Sequence, residues 1–235
     1  HRRSFDALGR LWQDIGALNQ TVTYQYDAQG NLKQIDGARS DLADLTAHSY
    51  DPLDRLTQTL NADGGVIQIK PDALDQTAQV VDPASQATVY TRNAFGDVTQ
   101  TQSADTGTTV RSFDAAGNLK TETDARGVTV SYTWDALNRL TQKQSSQTAP
   151  VYQYAYDSCG AGRLCWTHRG GTLNNYFNYD LHGRLSYRLD FGTVGAATTY
   201  TYRPGGQPDT LTYPSGRSVT TSYDEQGRPS QISTA

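Results

Sequence analysis

One seven-residue pattern recurs along the chain and constrains its fold more than any other feature. It begins with an aromatic residue and Asp, continues with two variable residues and one residue that tolerates a left-handed backbone, and ends with a polar and an aliphatic residue. Clear copies occupy residues 5–11, 26–32, 113–119, 134–140 and 179–185. A chain written this way is a repeat array, in which each unit is one supersecondary structure supported by its neighbours.

Eleven copies follow one another with spacings of 21 to 24 residues. We call each copy a corner, number its positions 1 to 7, and call position 1 the anchor. Two anchors, Pro71 and Arg92, depart from the aromatic type. The anchors are Phe5, Tyr26, Tyr50, Pro71, Arg92, Phe113, Trp134, Tyr156, Tyr179, Tyr202 and Tyr223.

Positions 2 and 5 of the corner carry turn chemistry. Position 2 is Asp in nine corners, and its carboxylate can accept a backbone N–H two residues on, as in an Asx turn. Position 5 is always Gly, Asn or Asp, the residue types that enter positive φ at little cost. Metal binding or catalysis by this Asp series is the alternative, but a fixed place beside a turn residue favours structure. We predict structural turn roles for Asp6, Gly9, Asp27, Gly30, Asp51, Asp72, Asp114, Gly117, Asp135, Asn138, Asp157, Asp180, Gly183, Asp224 and Gly227.

The segments between corners alternate with period two, as Val130, Tyr132 and Trp134 do against their neighbours. This period is typical of β-strands. A second, looser turn lies midway in each repeat, so one repeat is predicted to be a β-hairpin. We therefore predict an all-β fold with about twenty antiparallel strands, a single array over residues 1–235, and a bulge or helical turn at residues 41–45.

The composition excludes several function classes. Only 36% of the 235 residues are hydrophobic and 19% are charged, with a net charge of −4 and no run of Lys or Arg. Duplex nucleic acid is therefore a poor partner, and no apolar stretch is long enough to span a bilayer. Because Met is absent and the chain begins and ends within repeats, we expect a fragment of a longer protein.

Candidate reactive residues are few. Cys159 and Cys165 bracket an enlarged corner, and we predict a disulfide between them; free thiols, or a metal site with His168, are the alternatives. His48, His168 and His182 are far apart in sequence and form no catalytic triad. We predict no catalytic residue, no metal, no cofactor and no enzymatic activity.

The corner resembles the YD-repeat or Rhs-repeat motif, Tyr-Asp-x-x-Gly-Arg-Leu, and residues 179–185 match it fully. That family includes bacterial Rhs polymorphic toxins, B and C components of insecticidal toxin complexes, and teneurins. The resemblance implies β-hairpins that coil into one long sheet, part of a hollow shell. It further implies a secreted bacterial protein whose partners are the rest of the shell and an enclosed toxin domain.

The repeated aromatic anchors allow two interpretations. They are expected to stack across strands as columns that hold neighbouring repeats together. Alternatively, they bind sugars, in which case the chain is an extracellular adhesion module for cell-surface glycans or partner proteins.

Overall fold

The computed structural model describes residues 1–39, 44–147, 150–192 and 196–235. These residues form 22 β-strands and contain no helix, so the prediction of an all-β fold of antiparallel hairpins is confirmed. The bulge or helical turn predicted at residues 41–45 depends on residues 41–43, which lie outside the described residues.

The chain divides into two compact units. The first comprises His1–Arg111 and Asp124–Arg126, and the second comprises Ser112–Thr123 and Gly127–Ala235. The first ten strands lie in the first unit: β1 Arg2–Phe5, β2 Leu11–Ile15, β3 Thr21–Tyr26, β4 Leu32–Asp36, β5 Leu45–Tyr50, β6 Leu56–Leu60, β7 Val66–Pro71, β8 Thr77–Val81, β9 Ala87–Arg92 and β10 Val98–Ser103.

The strand β11, Gly107–Phe113, includes the point in the sequence where the first unit ends. The remaining strands lie in the second unit. They are β12 Leu119–Thr123, β13 Thr129–Trp134, β14 Leu140–Ser145, β15 Tyr152–Asp157, β16 Gly160–Arg169, β17 Thr172–Tyr179, β18 Leu185–Asp190, β19 Ala196–Tyr202, β20 Pro208–Thr212, β21 Ser218–Tyr223 and β22 Pro229–Thr234.

Within each unit, strands that follow one another in the chain pair antiparallel. In the first unit β3 pairs with β4, and the anchor Tyr26 lies opposite Leu32. In the second unit β13 pairs with β14, and the anchor Trp134 lies opposite Leu140. Both pairs shift register immediately before the anchor, so positions 1 and 7 face each other across a β-bulge.

The corner is a tight turn closed by two backbone hydrogen bonds. Asn138 N–H donates to Asp135 O at 3.0 Å, and Asp135 N–H donates to Arg139 O at 3.0 Å. Asn138 has a φ of 59°, which gives a turn followed by a left-handed residue and a bulge. Position 5 has positive φ in all eleven corners: Gly9, Gly30, Asp54, Asp75, Gly96, Gly117, Asn138, Gly160, Gly183, Gly206 and Gly227.

The strands do not enclose a conventional core. Among the described residues, Cys165 is the only fully buried hydrophobic residue, and no polar residue is buried. The chain exposes 15179 Å² of surface, whereas a compact monomer of its size would expose about 10,400 Å². Along β13, Tyr132 and Trp134 are half-buried while Ser131 and Thr133 are exposed. On this strand one face of the sheet is therefore more apolar than the other.

The left-handed residue at position 5 gives a first testable prediction. Gly117→Ala places a Cβ in open space but at a φ of +84°, so the substitution should lower the free energy of unfolding by about 1 kcal/mol through backbone strain alone. Urea unfolding followed by circular dichroism measures the effect. Gly192→Ala is the control, because its Cβ also meets open space and its φ is not left-handed. Equal effects of the two substitutions would contradict the argument.

Candidate functional site

The position-2 carboxylate organises the backbone of its own corner. Asp135 Oδ1 accepts the N–H groups of Leu137 at 2.9 Å and Arg139 at 3.0 Å, and Oδ2 accepts Arg139 Nε–H at 2.8 Å. One side chain therefore satisfies two turn N–H groups and one guanidinium. Asp27 accepts the N–H group four residues on, that of Asn31. Both backbone N–H groups are accepted by Asp6, Asp51, Asp72, Asp114, Asp180 and Asp224.

Asp157 is placed differently from the other position-2 residues. It lies in the enlarged corner with a φ of 73°, and its Oδ1 accepts Gly162 N–H at 2.7 Å instead of the N–H two residues on. Its carboxylate also receives Arg139 from the preceding corner, with Nη2 to Oδ2 at 2.7 Å. In this corner the Asp links two repeats as well as shaping one turn.

In several corners, position 6 connects the corner to the next one. Besides its own Asp135, the guanidinium of Arg139 binds Asp157 and lies over the ring of Tyr156 at 4.5 Å from the centroid. Arg55 likewise bridges to Asp75 Oδ1 at 2.7 Å. Shorter amides make the same link, since Asn118 Nδ2 donates to Asn138 Oδ1 at 2.8 Å.

At some corners with Gly at position 5, such as Gly96 and Gly183, a side chain of the preceding repeat fills the space that a Cβ would need. A Cβ added at Gly183 would collide with the guanidinium of Arg163. Gly at position 5 therefore leaves room for an arginine side chain of the preceding repeat. Asp or Asn at position 5 instead binds the Arg or Asn side chain of the preceding repeat.

The anchors donate a hydrogen bond from the tip of the side chain to the preceding repeat. Tyr156 Oη–H reaches Leu140 O at 2.9 Å, and Trp134 Nε1–H reaches Leu119 O at 2.8 Å. Arg92, an exception by residue type, donates through Nη2 to Thr77 O at 3.2 Å. The accepting residue is position 7 of the preceding corner in each case. The other tyrosine anchors that make this bond are Tyr26, Tyr50, Tyr179, Tyr202 and Tyr223.

The anchor rings meet guanidinium groups, where the sequence suggested aromatic columns. Arg10 lies 4.4 Å from the centroid of Tyr26, and Arg184 lies 4.4 Å from that of Tyr202. Such contacts contribute about 0.5–1 kcal/mol each at exposed sites. The sequence contained a signal for this arrangement, because Arg recurs at position 6, and the corners of Arg10, Arg139 and Arg184 are each followed one repeat later by an aromatic anchor. The contact of Arg with the next anchor was not predicted, because the register between repeats cannot be read from a single repeat.

The carboxylates of the corner are held in the ionised form. The backbone N–H of Arg139 lowers the pKa of Asp135, and the backbone N–H of Arg10 does the same to the pKa of Asp6. The guanidinium of Arg139 lowers the pKa of Asp157 to about 2, and burial raises the pKa of the Tyr156 hydroxyl. Carboxylates that are ionised and hydrogen-bonded in this way are poor general acids at neutral pH.

The two cysteines close the enlarged corner. Their sulfur atoms are 2.08 Å apart and their Cα atoms 5.4 Å apart, which forms a disulfide between Cys159 and Cys165. Cys165 is also the fully buried residue of the second unit. A short disulfide loop of this kind contributes about 2 kcal/mol, mainly by constraining the unfolded chain. We propose that it stabilises the corner that departs most from the pattern.

The described residues show no arrangement typical of catalysis. Within them, no group of three His, Cys, Asp or Glu side chains is placed to hold a metal ion. His48 Nδ1 lies 3.1 Å from Thr59 Oγ1, His168 packs on Trp166 with centroids 4.3 Å apart, and His182 lies beside Arg184. In the described parts of the chain, no helix is long and apolar enough to cross a membrane.

This fold and these corners define a hairpin-repeat protein in which the recurring residues bind one another. Residues 5–41 and 113–150 match the family described as RHS Repeat, and residues 149–234 match the family described as Teneurin YD-shell. The matched ranges cover more than half of the chain. The chain belongs to the YD-repeat, or Rhs-repeat, family. No curated protein sequence matches it significantly.

Solved toxin structures share this fold. A chain of the Photorhabdus luminescens Tc holotoxin pore matches 99% of this chain with a TM-score of 0.75 and 14% identity. The TcdB2-TccC3 structure without its hypervariable C-terminal region matches 100% with a TM-score of 0.71 and 13% identity, and TcdB2-TccC3 itself has a TM-score of 0.66 at 13% identity. The chain spans only 14% to 16% of the length of those chains. Together with the family match, the likeness supports a structural, shell-building role.

The anchor hydroxyl gives a second prediction. Tyr156→Phe keeps the ring under Arg139 but removes the hydrogen bond to Leu140 O, and should lower the free energy of unfolding by about 0.5–1.5 kcal/mol. Urea unfolding measures this loss. Tyr213→Phe is the control, because Tyr213 is 43% exposed and lies outside the anchor series; it should change stability by less than about 0.5 kcal/mol. If Tyr156→Phe left the free energy of unfolding unchanged, the bond would not contribute to the link between the repeats.

The pairing of Arg139 with Asp157 gives a third prediction, for pH dependence. The pKa of Asp157 falls from 3.8 to about 2 on folding, so its ionised form stabilises the fold fully above about pH 4 and loses this effect as pH falls through 2. Asp157→Asn should therefore be less stable than the wild type at pH 6, and the difference should shrink between pH 4 and pH 2. Urea midpoints measured across this range test it. A difference that is independent of pH would rule out the ion pair as its source.

Proposed function

We propose that the chain forms part of the wall of a hollow YD shell, and that this shell encloses a toxin segment within a secreted bacterial protein. The observation that carries the proposal is that the described residues contain no packed core, while successive repeats within each unit are linked at their corners. In each unit the strands form a hairpin meander, and besides the backbone ladder between neighbouring strands the repeats are linked by corner hydrogen bonds, guanidinium contacts and ion pairs.

A sheet of this construction suits a wall. An ordinary domain must bury one face of each sheet against a second layer, whereas here both faces carry side chains that tolerate water. On β13, for example, the exposed side carries Ser131 and Thr133, and the other side carries tyrosine and tryptophan with polar tips. Such a sheet can separate two aqueous compartments without a second layer.

The proposed role is structural rather than catalytic. The Asp and Arg residues that recur along the array are engaged in turn and inter-repeat bonds, as Asp135 and Arg139 illustrate. The proposed partners are the remaining shell and an enclosed toxin domain of the same protein. The Cys159–Cys165 disulfide supports a location outside the reducing cytoplasm.

The alternative of glycan binding by the anchors has less support. A sugar-stacking aromatic needs a free ring face, but Arg139 covers Tyr156 and Arg184 covers Tyr202. Their hydroxyl groups are also hydrogen-bonded to neighbouring carbonyls. Stacking of a sugar on Tyr156 or Tyr202 would therefore have to use the opposite ring face.

Protease protection tests the proposed enclosure and is our fourth prediction. The full-length polypeptide that carries this array is digested with a broad-specificity protease at rising temperature. The toxin segment should resist cleavage until the shell unfolds, because the wall excludes the protease. Arg139→Gln should release the segment at a lower temperature, since it removes the links to Asp157 and Tyr156.

The matched control is Arg126→Gln. Arg126 is 80% exposed at its side chain and pairs with Asp124 of its own turn, so its loss should leave the protection temperature unchanged. Cleavage of the toxin segment in the folded wild type would contradict enclosure. A lowered unfolding temperature without any change in protection would also contradict it.

A further inference from the structure

Three consecutive corners of the first unit present a large apolar side chain to water. Leu53, Leu74 and Phe95 occupy position 4 of their corners and are 70%, 72% and 90% exposed. We call these three residues the tip row. A single exposed leucine needs no explanation, but a row of three at the same place in successive repeats is a repeated apolar feature, and repeated exposed apolar groups of this kind mark interaction sites.

The turn holds each member of the tip row in the same way. The backbone N–H groups of Leu53 and Leu74 donate to Asp51 and Asp72 at 2.9 and 2.8 Å, and Phe95 N–H donates to Asn93 at 2.9 Å. The three side chains therefore leave the sheet from equivalent, rigid positions. Because the backbone is already ordered, binding a partner here carries little ordering cost.

The spacing of the row matches one face of an α-helix. Each repeat contributes two strands, so successive tips lie about 9.6 Å apart along the corner edge. Residues seven apart on a helix are about 10.5 Å apart. A helix of about 15 residues, with apolar residues at i, i+7 and i+14, would meet all three tips.

The flanking charge selects the kind of helix. Around the tip row the three corners carry five carboxylates and two guanidinium groups, those of Arg55 and Arg92, and Asp75 is 74% exposed at its side chain. Arg55 is shared between two of these carboxylates, Asp51 and Asp75. The surplus is therefore negative, and it would attract Lys and Arg and repel an anionic lipid surface. The carboxylates are Asp51, Asp54, Asp72, Asp75 and Asp97.

We propose that the tip row is a docking site for a basic amphipathic α-helix of a partner protein, with apolar residues seven apart and Lys or Arg beside them. The site is specific to this part of the array. At the other corners no such row forms. In the corner after that of Leu8, position 4 is Gln29, and in the corners on either side of that of Leu137, position 4 is Ala116 and Cys159. Neither the corner bonds nor the proposed shell requires an apolar residue at position 4, since Gln29 and Ala116 occupy it elsewhere.

Peptide binding to the 235-residue chain tests this site and is our fifth prediction. The probe is a fluorescent 18-residue helical peptide with leucine at every seventh position and lysine on both sides, and anisotropy reports its binding. Leu74→Ser and Phe95→Ser should each raise the dissociation constant for the peptide at least tenfold. The control, Leu137→Ser, removes an equally exposed tip outside the row and should leave binding unchanged. Circular dichroism verifies that each variant remains folded.

Three outcomes would overturn the proposal. The first is that the basic peptide fails to bind, or that a matched peptide with glutamate in place of lysine binds equally well. The second is that Leu137→Ser weakens binding as much as the tip-row variants do. The third is binding to phosphatidylcholine or phosphatidylserine vesicles in place of the peptide, which would assign the row to a membrane surface. None of these outcomes bears on the enclosure of a toxin, which protease protection tests separately.

Discussion

Most repeats depend on the bonds between the position-2 carboxylate and the backbone of their own turn. By accepting two N–H groups, Asp135 fixes the path from Trp134 to Asn138, and Asn138 then enters the left-handed region. The resulting bulge places positions 1 and 7 opposite each other. This geometry brings the anchor of one repeat within reach of a carbonyl in the repeat before it, so a local turn determines a contact between repeats.

Stability in this array is distributed among corners, since the described residues bury almost no side chain completely. Each link is small: a hydroxyl–carbonyl bond contributes about 0.5–1.5 kcal/mol, and a guanidinium over a ring about 0.5–1 kcal/mol. Because the links recur in each repeat, the array behaves as a chain of neighbour interactions, as other repeat proteins do. A weak corner, such as that of Pro71, which has no donor at its tip, can be offset by adjacent links such as the bond from Arg55 Nη1–H to Asp72 O.

The fold was predictable from the sequence because its signals are local. Period two predicts the strands, and the Gly, Asn and Asp residues of position 5 predict where positive φ occurs. The partners of the anchors were not predictable in the same way, because the bulge shifts the register by one residue at each corner. That Arg92, Trp134 and Tyr156 all donate from the tip of the side chain becomes visible only when the accepting carbonyl is located. Asp157 illustrates the same limit, since two extra residues in its corner redirect its carboxylate.

The corner separates the residues that maintain the array from those that are free to vary. Positions 1, 2, 5 and 6 bind the turn or the neighbouring repeat, whereas in most corners position 4 contributes its backbone N–H to the turn and leaves its side chain outside it. Side chains as different as Gln29, Leu53, Phe95 and Ala116 therefore occupy position 4 without altering the corner. Selection for a binding surface can act there at little cost to stability. For this reason an unbroken apolar row at position 4 indicates recognition of a partner more strongly than it indicates folding.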